Sequence, residues 1–142
     1  MGAEDLERTL TIIKPDAISA GKAGAILAHL EKEGFRLAGV KKLRLSPDQA
    51  RAFYAVHRER PFYEGLVRFM TEGPVVVAAL ERRDAVAHLR STMGATDSKK
   101  ADAGTIRNLH GTDIERNAIH GSDSPDNAAK EIAFFFSEAE LI

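Results

Sequence analysis

The 142-residue sequence contains no cysteine. Disulfides, thiolate metal sites and a cysteine nucleophile are therefore excluded, and the redox compartment stays open. Excess charge is missing too: 20 basic against 21 acidic residues leave a net charge of -1. No global field recruits nucleic acid or an acidic membrane, so any anion must be met by a local basic cluster. No apolar run approaches the roughly 20 residues of a membrane span. Met1 to Glu7 carries acids and no apolar core, so no signal peptide is expected there. Leu6 stands where a myristoylation signal needs Ser or Thr. Without a repeat, low-complexity tract or linker, residues 1–142 read as a single domain. At 44% hydrophobic and 29% charged, the chain has an ordinary globular composition.

The stretch that does carry chemistry is Asn117-Ala118-Ile119-His120-Gly121-Ser122-Asp123-Ser124-Pro125. Imidazole is the side chain that can be a neutral nucleophile near pH 7, since its ordinary pKa is about 6.5. Gly121 removes bulk beside His120, so something large could approach. Asp123 or Ser124 before Pro125 reads as an N-cap with proline at the first helical position. His120 is thus expected where a strand turns into a helix.

The remaining chain supplies a frame. Arg8 to Ile13 is rich in β formers and is stopped by Lys14-Pro15-Asp16. Gly21 to Glu33 reads as a helix with Ala23, Ile26, Leu27 and Leu30 on one face, ended by Gly34. Phe35 to Leu45 reads as a strand marked by Leu37, Val40, Leu43 and Leu45. Ser46-Pro47-Asp48 opens a helix that runs to about Arg58, and Phe62, Leu66, Phe69 and Met70 space out another. Val75 to Leu80 is unbroken apolar sequence, as in a strand buried on both faces. Asp84 to Arg90 follows as a short helix. Gly94 to Arg116 shows no sustained period; a loop of that length in a compact domain is usually functional, and its hydroxyls and cations suit phosphate oxygens. Ile114 and Ile119 return the chain to a strand ending at His120. Asp126 to Phe136 closes as a helix with Ala129, Ile132, Ala133 and Phe136 inward. Phe134-Phe135-Phe136 is expected to pack on the body or on another subunit.

This order predicts an α+β, ferredoxin-like sandwich: a four-stranded antiparallel sheet with helices packed on one face. A parallel doubly wound sheet is the alternative. It is disfavoured by the small number of strands and by the lack of a Gly-rich phosphate loop after the first one.

The nonapeptide resembles the active-site signature of nucleoside diphosphate kinases. The resemblance continues through Arg8-Thr9-Leu10 to Lys14-Pro15-Asp16-Ala17, Arg60-Pro61-Phe62-Tyr63-Glu64-Gly65-Leu66, Gly73-Pro74-Val75-Val76, Met93-Gly94-Ala95-Thr96 and Gly104-Thr105-Ile106-Arg107. It implies ping-pong transfer of a γ-phosphoryl from a nucleoside triphosphate to a nucleoside diphosphate, through a phosphohistidine on Nδ1 of His120. Glu131 maps onto the carboxylate that fixes the histidine tautomer, and Tyr54 and Ser122 onto residues beside it. Lys14, Arg90, Thr96 and Arg107 map onto phosphate ligands, and Asn117 with Lys14 onto those of the ribose hydroxyls. Phe62 maps onto the base-stacking aromatic, with Leu66 and Ile114 near it. The implied cofactor is Mg2+, held mainly by nucleotide phosphates rather than a protein cage. The implied partners are ATP, GTP and other tri- and diphosphates, ribo and deoxy, with little base specificity. A homo-oligomer is implied, a hexamer in preference to a tetramer, in the cytoplasm, with no membrane and no nucleic-acid partner. Two departures stand out. Asp97-Ser98 replaces the Asn-Pro or Asp-Pro that usually follows the loop threonine, which leaves the loop less pre-organised. The chain also ends at Ile142, short of the extension that longer members use between subunits.

Overall fold

The computed structural model describes residues 6–142. Strand β1 (Leu6–Ile13) leads through α1 (Pro15–Ser19) and α2 (Ala23–Lys32) to β2 (Arg36–Leu43). Helices α3 (Pro47–Phe53) and α4 (Tyr63–Thr71) precede β3 (Val75–Arg83); α5 (Ala85–Met93) and α6 (Ile106–His110) precede β4 (Ile119–Gly121), and α7 (Pro125–Phe135) follows. The strands form one sheet in the order β2-β3-β1-β4, with every pair antiparallel. This is the ferredoxin-like arrangement expected from the element order.

The pleat divides the core in two. Val75, Val77 and Ala79 of β3, with Leu10 and Ile12 of β1, face α3, α4 and α7. Val76, Ala78 and Leu80, with Ile13 and Ile119, face α2 and α5. Helices thus cover both faces of the sheet rather than the one face expected. The continuous apolar run of β3 is the direct consequence.

Local corrections have local causes. In β2 the register shifts between Leu37 and Gly39, so Ala38 is buried while Val40 is 45% exposed. Helix α3 ends at Phe53 and a 3-10 turn, 55–57, completes the segment. The 94–116 connection is not structureless: it holds a 3-10 turn at 98–100 and α6. Ile114 lies in that connection, 64% exposed, and only residues 119–121 form a strand. In α7 the inward face is Ala128, Ile132 and Phe135, not Ala129 and Ala133. Ser124 caps α7 by accepting from the Asn127 N–H at 3.1 Å, with Pro125 at the first position, as the sequence signalled. Phe135 and Phe136 pack on the body, leaving Phe134 42% exposed.

Candidate active site

β4 pairs with β1 so that His120 lies opposite Ile12 and Gly121 opposite Thr11. Alternation then sends His120 to the face carrying α3 and α7, and Gly121 to the face carrying α5. Phe53 stands edge-on to the His120 ring with centroids 5.6 Å apart, and Tyr54 does so at 6.4 Å. From α7, Glu131 Oε1 lies 2.8 Å from His120 Nε2. The same oxygen accepts the Ser122 hydroxyl at 2.8 Å. Ser122 is in turn held by β1, its N–H donating to the Leu10 carbonyl at 3.1 Å. With Nε2 occupied as donor to the carboxylate, Nδ1 carries the free lone pair.

Gly121 serves a different purpose from the one its sequence position suggested. A Cβ there would meet Met93 Sδ at 2.7 Å and Leu89 Cδ2 at 2.9 Å. Its missing side chain lets α5 approach the sheet. Just before β4, Ala118 adopts φ +74°, a left-handed conformation that costs an alanine on the order of 1–2 kcal/mol. It is held there because its N–H donates to Asp16 Oδ2 at 3.1 Å and its carbonyl accepts from the Lys14 N–H at 2.8 Å.

Two lobes meet at Thr96 and Arg107. The first, about 350 Å³, is lined by Lys14, Phe62, Leu66, Thr96, Arg107, Ile114, Glu115 and Asn117. The second, about 730 Å³, contains His120 and Glu131 with Arg90, Lys130, Asp123, Phe53 and His57 among its walls. Lys14 donates to Asn117 Oδ1 at 2.8 Å, and Asn117 Nδ2 donates to the Thr96 and Ile114 carbonyls. Arg107 reaches from α6 to the Gly94 carbonyl at 3.1 Å and the Ile119 carbonyl at 2.9 Å, tying the long connection to β4. Burial, then the neighbouring Arg107 charge, lowers the Lys14 pKa to about 8. Burial, then Arg90, lowers that of Arg107 to about 10. Cations crowded at this cost, with no carboxylate paired to Lys14 or Arg107 among the described residues, are chemically suited to receive an anion.

All twelve site residues expected from the sequence gather around these lobes. Tyr54 sits behind Phe53 rather than on the cleft wall: its ring is buried, its hydroxyl has no protein partner, and burial followed by the Glu131 charge pushes its pKa up. Phe53, His57, Glu115, Asn127 and Lys130 were missed. For Asn127 a signal existed, since it precedes Glu131 by four positions on α7 and so shares its face.

A family model described as nucleoside diphosphate kinase matches residues 7–141. The chain belongs to the nucleoside diphosphate kinase family. A relative of that name from Acidiphilium cryptum is 58% identical over 136 residues, 96% of this chain and 97% of the relative. One from Granulibacter bethesdensis is 56% identical over 137 residues, 96% of this chain and 98% of its own. A crystal form of the Aquifex aeolicus nucleoside diphosphate kinase superposes with a TM-score of 0.95 at 48% identity, covering 96% of this chain and 99% of that one. The halophilic family member from Halobacterium salinarum, solved in complex with CDP, gives 0.92 at 43%, covering 96% and 91%. With similarity running over nearly the whole length, the chain is an enzyme of this phosphotransferase family.

Proposed function

We propose that the chain transfers the γ-phosphoryl of a nucleoside triphosphate to a nucleoside diphosphate by a ping-pong reaction through phosphorylated His120. The observation that carries this reading is the pairing of His120 Nε2 with Glu131, which leaves Nδ1 as the nucleophile beside Arg90, Thr96 and Arg107. The Nδ1 lone pair attacks the γ-phosphorus; the bond to the β-γ bridging oxygen breaks, and the diphosphate leaves with that electron pair. A β-phosphate oxygen of the incoming diphosphate then attacks the phosphohistidine, the P–N bond breaks and neutral His120 is restored. Glu131 stabilises positive charge on the ring during both steps, with Ser122 positioning the carboxylate. Tyr54 supports the ring from behind. Lys14, Arg90, Thr96 and Arg107 meet the phosphates, and Lys14 with Asn117 the ribose hydroxyls. The base stacks on Phe62, a residue 49% exposed, with Leu66 and Ile114 beside it.

No group of three metal-ligating side chains occurs among the described residues. The site nevertheless fits Mg2+ carried in by the nucleotide. Of the two carboxylates in the second lobe, Glu131 is engaged by His120 and Ser122, so Asp123, whose Oδ1 accepts from Asn127 at 2.6 Å, would be the one to help hold the ion. When bound, Mg2+ neutralises phosphate charge.

Ribo- and deoxynucleotides of any base are the proposed substrates, ATP and GTP included. Relatives share the family name, and one was solved with CDP. Assembly as a homo-oligomer, a hexamer before a tetramer, and a cytoplasmic location complete the reading. Exposed Val40, Leu109 and Phe134 support assembly, and no helix among the described residues is long and apolar enough to cross a membrane.

The test is incubation with a γ-labelled triphosphate. The label should be acid-labile and alkali-stable, should be discharged by added diphosphate, and should be absent from His120→Ala. Normal labelling and turnover in that variant would overturn the mechanism.

A further inference from the structure

The first lobe contains one residue that stacking and phosphate binding do not explain. Glu115 lines it alongside Phe62, Leu66 and Ile114. Its backbone is fixed by an Asx turn: the Glu115 and Arg116 N–H groups both donate to Asp113 Oδ1, at 2.9 and 2.8 Å. The Thr112 N–H closes the turn on the Arg116 carbonyl at 2.7 Å. From this anchor the Glu115 side chain crosses to the first turn of α4. Gly65 there leaves a notch, and Glu115 Oε2 lies 3.6 Å from the place a Gly65 Cβ would occupy. Phe62 and Leu66 flank Gly65 on that wall.

Structural reasons for a carboxylate at this place are weak. Lys14 and Arg116 feel its charge, and Arg68 Nη2 stands 3.9 Å from the same Gly65 position. None of these closes into an ion pair: Arg116 is taken by Glu72 at 2.8 Å and Lys14 by Asn117. Among the described residues no hydrogen bond or ion pair engages the Glu115 carboxylate.

We propose that Glu115 reads the hydrogen-bonding edge of the stacked base and favours guanine. The inference rests on the nucleotide-binding reading of the site. Ile114 and Glu115 are consecutive, so a base lying against Ile114 presents its edge beside the carboxylate. An ionised carboxylate only accepts, through two oxygens that suit a pair of parallel donors. Guanine offers such a pair, N1–H and the N2 amine. Adenine and cytosine offer a single exocyclic amine on that edge, and uracil an N–H flanked by carbonyl oxygens that repel a carboxylate. Glu115 is exposed, so water competes. One added hydrogen bond in such a place is worth about two- to tenfold in affinity. That preference sits inside the broad base tolerance of the proposed reaction.

The discriminating pair is GDP and IDP, which differ only by the 2-amino group. With saturating ATP as donor, wild type should favour GDP in kcat/KM by about two- to tenfold, with the difference carried by KM. Glu115→Ala should bring the GDP/IDP ratio to about one, and Glu115→Gln, with a single acceptor oxygen, should fall between. A wild-type ratio of one, or a ratio unchanged in Glu115→Ala, overturns the proposal. So does an equal change for both diphosphates, which would mean that the carboxylate only adjusts the field at Lys14. Calorimetric binding of GDP and IDP tests the preference independently of turnover. If both bind and neither is phosphorylated, the phosphotransfer reading fails while the base-reading proposal is still decided by the two affinities.

Discussion

Replacing Glu131 by Gln isolates the charge of the carboxylate from its geometry. Glu131 Oε1 accepts from both His120 Nε2 and the Ser122 hydroxyl at 2.8 Å, so one amide oxygen can keep both hydrogen bonds. What disappears is the negative charge facing the ring as phosphorus bonds to Nδ1. At 2.8 Å and an effective dielectric of about 20, two unit charges interact by about 6 kcal/mol. If a third to a half of a charge develops on the ring, about 2–3 kcal/mol of transition-state stabilisation is lost, or about 30- to 150-fold in kcat. Both side chains are only about a fifth exposed, so solvent screening does not remove the effect. The assay is the single-turnover rate of His120 phosphorylation, measured beside the Kd of a non-hydrolysed triphosphate analogue, which should hardly change. Ser122 makes the reasoning sharper. Its hydroxyl pins the amide oxygen toward the histidine; without it, the amide can turn and present N–H to Nε2. That would push the ring proton onto Nδ1 and block the nucleophile. Glu131→Gln with Ser122→Ala should therefore lose more than the two single variants combined. An analogue affinity that falls as far as kcat would show that Glu131 supports the pocket instead, and strict additivity would refute the part given to Ser122.

Lys14 predicts a pH dependence. Its pKa is lowered to about 8 in the free protein, burial being the main cause. A bound phosphate raises it again, so binding takes up a proton above pH 8. Nucleotide Kd should rise with pH there, by up to about tenfold per unit, as checked by calorimetry in buffers of different ionisation enthalpy. The free protein should gain stability between pH 8 and 10.5, where the unfolded lysine holds a proton and the folded one does not. Gly121→Ala drives a Cβ into Met93 and Leu89 and should cost about 1–3 kcal/mol, read as a lower midpoint of thermal unfolding; an unchanged midpoint would refute the assigned role of Gly121. At position 98, proline should bring no gain, although the family resemblance leads one to expect it there. The Ser98 N–H donates to the Asp113 carbonyl at 3.3 Å, and losing that bond offsets the roughly 0.4–1 kcal/mol that proline saves in the unfolded chain. Ser98→Ala keeps the N–H and removes a buried hydroxyl that has no partner, so it should raise the midpoint. Both variants are to be compared with wild type at matched protomer concentration, since the stability of any protein that self-associates depends on it.

Local signals carried much of this molecule. Ser124-Pro125 announced the start of α7 because capping is a matter of four adjacent residues. The apolar run of β3 announced burial on both faces, and the order of elements announced the sheet. The residues around His120 were legible because their types and order follow a known family. What the chain could not disclose alone are relations between distant segments. That Gly121 makes room for α5 depends on which way the pleat of β4 turns it. The identity of the inward face of α7 depends on its rotation against β1, which favoured Ala128, Ile132 and Phe135. The Ser98 N–H is bonded to the Asp113 carbonyl, 15 residues on, a partnership that no local pattern in the loop announces. The place of Glu115 on the pocket wall depends on Gly65, 50 residues earlier, which leaves room for its carboxylate. Period and capping are written in neighbouring residues; orientation, vacancy and hydrogen-bond partnership arise only when remote parts of the chain are packed against one another.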